Sequence, residues 1–122
     1  MRSNNTTTNV GQAAENLAAR FLEKHGLTVL ARNYRCRGGE IDLVCRTGKT
    51  LVFAEVRFRR NTDFGGAGAS ITLTKQRRII LAAQHYLLVH KQPNCDCRFD
   101  CLLLNGMDEK NIDWIPNAFS SD

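Results

Sequence analysis

The chain has 122 residues, 43% of them apolar and 24% charged, with 17 Lys and Arg against 12 Asp and Glu for a formal net charge of +5. That is one domain's worth of sequence, long enough to bury a core without disulfides or a structural metal, and its composition excludes collagen-like, coiled-coil and wholly disordered chains. The charge is uneven: residues 1–80 carry 14 basic and 6 acidic side chains, residues 81–122 carry 3 and 6.

Residues 1–9 are polar, without an apolar pattern, and read as a flexible tail ahead of a single domain over 10–119. Asn9 and Gln12 have capping-box spacing, and Ala14, Leu17, Ala18, Phe21 and Leu22 recur at helical spacing, predicting a first helix over 10–25 that Gly26 stops. The period then changes. Runs over 27–35, 40–46 and 51–58, separated by short turns at 37–39 and 47–49, predict an antiparallel meander. Residues 61–69 are Gly-rich, and Thr72 or Thr74 can cap a second helix reaching about residue 91, which Pro93-Asn94 ends. Residues 98–104 alternate as a fourth strand, and 112–115 suit a short fifth. The fold class is α/β, a mixed sheet of four or five strands flanked by helices in the order α-β-β-β-α-β.

Three carboxylates, Glu40, Asp42 and Glu55, lie inside strands that should be largely apolar. Alternation places Glu40 and Asp42 on one face with Ile41 and Leu43 on the other, and puts Glu55 on a face with Arg57. The turn at 47–49 makes the two strands neighbours. Carboxylates drawn together in a partly buried place require positive charge between them, and a divalent cation with oxygen ligands, Mg²⁺ or Mn²⁺, supplies it. The plainer reading pairs each carboxylate with an arginine on a wet sheet face.

Gly39-Glu40-Ile41-Asp42-Leu43 followed by Phe53-Ala54-Glu55-Val56-Arg57 resembles the Asp…(Asp/Glu)-x-Lys signature of the restriction-endonuclease-like nuclease superfamily. Together with Gly11-Gln12-Ala13-Ala14-Glu15, Arg32-Asn33-Tyr34-Arg35, Phe64-Gly65-Gly66, Lys75-Gln76-Arg77-Arg78 and Arg98-Phe99-Asp100, it resembles the YraN family, small bacterial proteins similar to archaeal Holliday junction resolvases. The resemblance implies a restriction-endonuclease-like core and a metal-dependent endonuclease acting on DNA, branched or junction DNA included. It implies Asp42 and Glu55 as ligands to Mg²⁺ or Mn²⁺ with the Val56 carbonyl as a third oxygen, Glu15 near the metal, and Glu40 as an outer carboxylate or a ligand to a second ion. The sequence departs from the signature at Arg57, which stands where the family pattern has lysine. A guanidinium cannot take a proton from water, although it can clamp a phosphate. Lys75 offers an ammonium from another backbone position; its plainer reading is a solvated helix-start lysine or a phosphate contact. The alternative function is accordingly a nuclease scaffold that binds nucleic acid without cutting it.

Arg57, Arg59, Arg60, Lys75, Arg77 and Arg78 bracket the Gly-rich stretch and point to a nucleic acid partner, DNA above all, held by salt-sensitive phosphate contacts. A homodimer fits symmetric cutting of two strands. No apolar run approaches the roughly 18 residues of a membrane helix, and the polar start is unlike a signal peptide, so no membrane partner and a cytoplasmic location are expected. Five cysteines, an odd number in apolar segments, fit reduced thiols. Gly48-Lys49-Thr50 lacks the earlier glycine of a phosphate loop, the cysteines lack zinc spacing, and the three histidines suit helix-end or packing roles. Asp100 suits a pairing with Arg98 or a neighbouring strand.

Overall fold

Where the apolar period is 3.6 the chain is helical, and where it is 2 the chain is extended. The structure, a computed structural model, describes residues 6–58, 71–92 and 94–121. Its elements are α1 (Thr6–Lys24), β1 (Thr28–Cys36), β2 (Gly39–Thr47), β3 (Thr50–Phe58), α2 (Leu73–Val89), β4 (Asp96–Leu104), a short 3-10 turn (Glu109–Asn111) and β5 (Ile112–Phe119). The strands form one mixed sheet in the spatial order β1-β2-β3-β4-β5. Neighbours are antiparallel except β3 and β4, which run parallel on either side of the α2 crossover. The expected α-β-β-β-α-β order is present, with β5 added at the edge.

Alternation along β3 sets the layering. Val52 and Ala54 pack with Leu17, Ala18 and Leu22 of α1, while Leu51 and Phe53 pack with Ile79, Ala82 and Tyr86 of α2. The helices therefore cover opposite faces, and the central strands β2, β3 and β4 are buried between them. Thr72, rather than Thr74, caps α2: its Oγ1 accepts from the Lys75 backbone N–H at 3.1 Å.

Two boundaries differ most from the sequence reading. Helix α1 begins at Thr6, so Asn9 lies within the helix instead of capping it. Strand β5 continues past residue 115 to Phe119 and includes Pro116, which an edge strand tolerates because its outer side needs no ladder donor. The Gly-rich stretch 61–69, with Arg59 and Arg60, lies outside the described residues.

Candidate functional site

A regular strand would put Ile41 and Leu43 on one face. They lie on opposite faces, Leu43 in the cluster beneath α1 and Ile41 in that beneath α2. Strand β1 reverses at the same level: Arg32 donates to Asn16 on α1, whereas Tyr34 packs edge-on against Tyr86 and hydrogen-bonds His85, both on α2. Between them Asn33 takes the left-handed conformation, φ 51°, which Asn tolerates better than most residues. In register Asn33 falls opposite Asp42, between the pairs Arg32↔Leu43 and Tyr34↔Ile41. On the other side of β2 the ladder with β3 ends at Leu43↔Ala54. One step further on, Asp42 Oδ2 accepts a hydrogen bond from the Val56 backbone N–H at 2.9 Å.

Around this kink the two carboxylates of β2 have different partners. Glu40 Oε1 lies 3.6 Å from an Arg78 Nη on α2. Asp42 instead meets Glu55. The two carboxylates are within hydrogen-bonding reach of each other, and Glu55 is almost wholly buried. Burial, and then the charge and hydrogen bond of Asp42, push Glu55 up to about 8, against the opposing pull of Lys75. The Lys75 Nζ stands 3.1 Å from Glu55 Oε2, on the first turn of α2 where the Thr72 cap anchors the backbone. Lys75 thus faces the carboxylates and is not merely a solvated helix-start residue. Glu15 on α1 approaches from the other face. Its pKa is raised by burial and then by Asp42, while Asn33 Nδ2, donating to Glu15 Oε1 at 2.9 Å, and the charges of Arg32 and Arg35 favour the ionised form.

Two carboxylates forced together have three forms of relief: a shared proton, the Lys75 ammonium, or a divalent cation. Among the described residues no three His, Cys, Asp or Glu side chains already converge as a metal-binding group. Groups that could hold a cation beside the pair are the Asp42 and Glu55 carboxylates, with the Val56 carbonyl next in the chain. They are all oxygen, a set that suits a hard cation of the Mg²⁺ or Mn²⁺ type.

Open clefts flank the pair. One, of about 460 Å³, is lined by Glu55, Val56, Arg57, Phe58, Thr72 and Lys75. The other, of about 290 Å³, is lined by Gly11, Gln12, Glu15, Asn33 and Arg35. Of the remaining predicted cations, Arg77 is exposed on α2, Arg78 is engaged by Glu40, and Arg59 and Arg60 lie outside the described residues. Asn33 and Arg35 enter the sequence reading only as part of the Arg32-Asn33-Tyr34-Arg35 motif, with Arg35 also available to pair with a strand carboxylate, and neither is placed at the site there. A polar, weak strand former in mid-strand was the signal available for Asn33. The histidines have the expected local roles: His25 and His90 each bond a carbonyl one turn back in or beside their helices.

These features define an α/β protein whose twisted sheet carries a buried carboxylate pair, answered by a helix lysine and set between two polar clefts. The chain belongs to the uncharacterised protein family UPF0102, whose model matches residues 14–104, a span that includes Glu15, Asp42, Glu55 and Lys75. It is 61% identical over 122 residues to a UPF0102 protein of Dechloromonas aromatica, covering all of this chain and 98% of that one. Relatives from Nitrosospira multiformis (56% over 109 residues, 89% of this chain and 91% of theirs) and Nitrosomonas europaea (53% over 111 residues, 91% and 93%) carry the same family name. Among the described residues, no helix is long and apolar enough to cross a membrane.

Proposed function

We propose that this chain is a divalent-metal-dependent endonuclease that hydrolyses phosphodiester bonds in DNA, branched DNA included. The observation that carries the reading is the Asp42–Glu55 contact at the edge of an open cleft, with the Lys75 ammonium against its buried member. Lys75 supplies one positive charge to two carboxylates, so ionising both calls for a further cation.

When bound there, Mg²⁺ or Mn²⁺ would neutralise the scissile phosphate, acidify a water and steady the leaving oxygen. The chain's own residues divide the remaining work. Asp42 is held in place by the Val56 N–H, so its second oxygen remains available as a ligand alongside Glu55 and the Val56 carbonyl. Lys75 takes the task for which Arg57 is unsuited: an amine can hold the attacking water and take up or release a proton, whereas a guanidinium remains a donor. Arg57, lining the same cleft, clamps a phosphate oxygen. Glu15, steadied by Asn33, acts as an outer carboxylate, and Glu40 is occupied by Arg78. Two copies acting together would cut both strands of a duplex or junction. The five free cysteines and a DNA substrate suit the cytoplasm.

The test is a cleavage panel of linear duplex, single-stranded and branched DNA, with RNA beside them, in Mn²⁺ and in Mg²⁺. Wild type should cut at least one DNA, and Asp42→Ala and Lys75→Ala should each lose about 100-fold or more. Wild type inert on every substrate, or Asp42→Ala as active as wild type, would overturn the reading. Arg57 favours a second reading, a scaffold that binds DNA without cutting. It predicts an inert wild type, salt-dependent binding, and cutting gained in Arg57→Lys.

A further inference from the structure

We propose that the cleft on the β1 side of the carboxylates is a second phosphate subsite, in which Arg35, with Gln12 and Asn33, holds the DNA backbone on one side of Asp42 while Arg57 and Lys75 hold it on the other. The inference rests on the nuclease reading only in taking DNA as the ligand.

Register carries the argument. Asp42 lies on β2 with Asn33 level with it on β1 and Glu55 one step beyond the last β2–β3 pair. The cleft lined by Gln12, Asn33 and Arg35 therefore opens on one side of Asp42, and that lined by Arg57 and Lys75 on the other. Each side has a cation at an open, polar wall, Arg35 on one and Arg57 with Lys75 on the other. The acidic member of the cleft, Glu15, is already engaged by the Asn33 amide and lies within the fields of Arg32 and Arg35, which leaves the cleft's cationic side to an incoming anion. A strand crossing the carboxylate pair would thus meet positive charge before and after the reacting phosphate. Contacts on both sides fix a backbone in line, whereas contacts on one side alone leave it free to swing.

The experiment measures binding rather than cutting: fluorescence anisotropy of a labelled duplex from 0.05 to 0.3 M NaCl in EDTA, with no metal present. For Arg35→Ala the slope of log affinity against log salt should fall in magnitude by about 0.9, with affinity about eightfold weaker at 0.1 M salt, the loss of one phosphate contact. Arg35→Lys, which keeps the charge, should retain most of the slope. Arg57→Ala should lose a similar amount, and the double variant the sum of the two. Lys49→Ala, in the turn between β2 and β3 at the far end of the hairpin, should match wild type. An Arg35→Ala slope equal to that of wild type, or a Lys49→Ala loss as large as that of Arg35→Ala, would overturn the subsite and leave the nuclease reading standing. Wild type failing to bind at 0.05 M salt would likewise overturn the subsite, while the nuclease reading stands or falls on the cleavage panel with metal. Arg35 is exposed, and circular dichroism on each variant separates lost binding from lost folding; if Arg35→Ala unfolds, the comparison of Arg35→Lys with Arg35→Gln decides on the same slopes.

Discussion

Glu55 shows how an environment changes what a residue can do. An ordinary carboxyl near 4.5 is pushed to about 8 by burial and by Asp42, so in the metal-free protein it holds its proton over much of the neutral range. Below 4.5 both folded and unfolded chains are protonated there, and the group's contribution to stability is fully present. Between about 4.5 and 8 the unfolded chain releases the proton while the folded chain retains it, so the contribution declines and is gone above 8. In EDTA the melting temperature should therefore fall across this window by roughly 5 °C or more, and Asp42→Asn, which removes the repelling charge, should flatten the fall. Lys75→Met removes the cation that opposes these effects and should move the decline to higher pH. Thermal melts from pH 4 to 9 check all three. Two buried thiols follow the same physics: burial raises Cys45 to about 12 and Cys101 to about 11, so neither is a ready nucleophile.

At the scale of elements, the site depends on α2 being held close to β2 and on β5 being held against β4. The first contact runs through Gly39. A Cβ there would stand 2.4 Å from the Arg78 carbonyl and 3.0 Å from the Ala82 backbone nitrogen, both main-chain atoms of α2 that cannot turn aside. Gly39→Ala should cost about 1–3 kcal/mol in urea unfolding. Because the displaced helix carries Lys75, cleavage should fall further than the loss of folded protein explains. The second contact runs through Asp100, which is fully buried yet saturated: Arg98 donates from Nε and Nη at 2.9 and 3.0 Å, Trp114 from Nε1 at 2.9 Å and Asn117 from its backbone at 3.0 Å. The last two partners belong to β5. Asp100→Ala leaves a half-buried guanidinium and two donors without their acceptor and should cost about 3–5 kcal/mol, with faster amide exchange in β5 than in β2 as the local signature. The Arg98 pairing was legible from adjacency in the sequence. The Trp114 and Asn117 bonds were not, because they form only when β5 returns antiparallel to β4.

Across the whole molecule, a divalent cation bound only by the folded chain should raise its stability by mass action. At pH 8, Mn²⁺ at about 100 times its dissociation constant should raise the melting temperature by about 5–10 °C, and at pH 5, where protons compete for Glu55, by much less. Asp42→Ala should abolish the rise at pH 8, and a titration followed by differential scanning calorimetry reads it directly. The sequence by itself determined the element order, the mixed α/β class, the Thr72-region start of α2 and the pairing, across a short hairpin, of the two strands that carry Asp42 and Glu55. These follow from local periods, caps and turns, which neighbours along the chain decide. Only the tertiary structure decided that β1 and β2 reverse their faces at Asn33 and Asp42, sending Glu40 to Arg78 and Asp42 to Glu55. It also decided that Lys75 reaches the buried carboxylate and that Arg35 stands at a cleft beside Glu15. A left-handed residue in mid-strand and the seating of two helices on opposite faces are set by packing between distant segments, and alternation along a strand, a purely local rule, contains no record of where that packing breaks it.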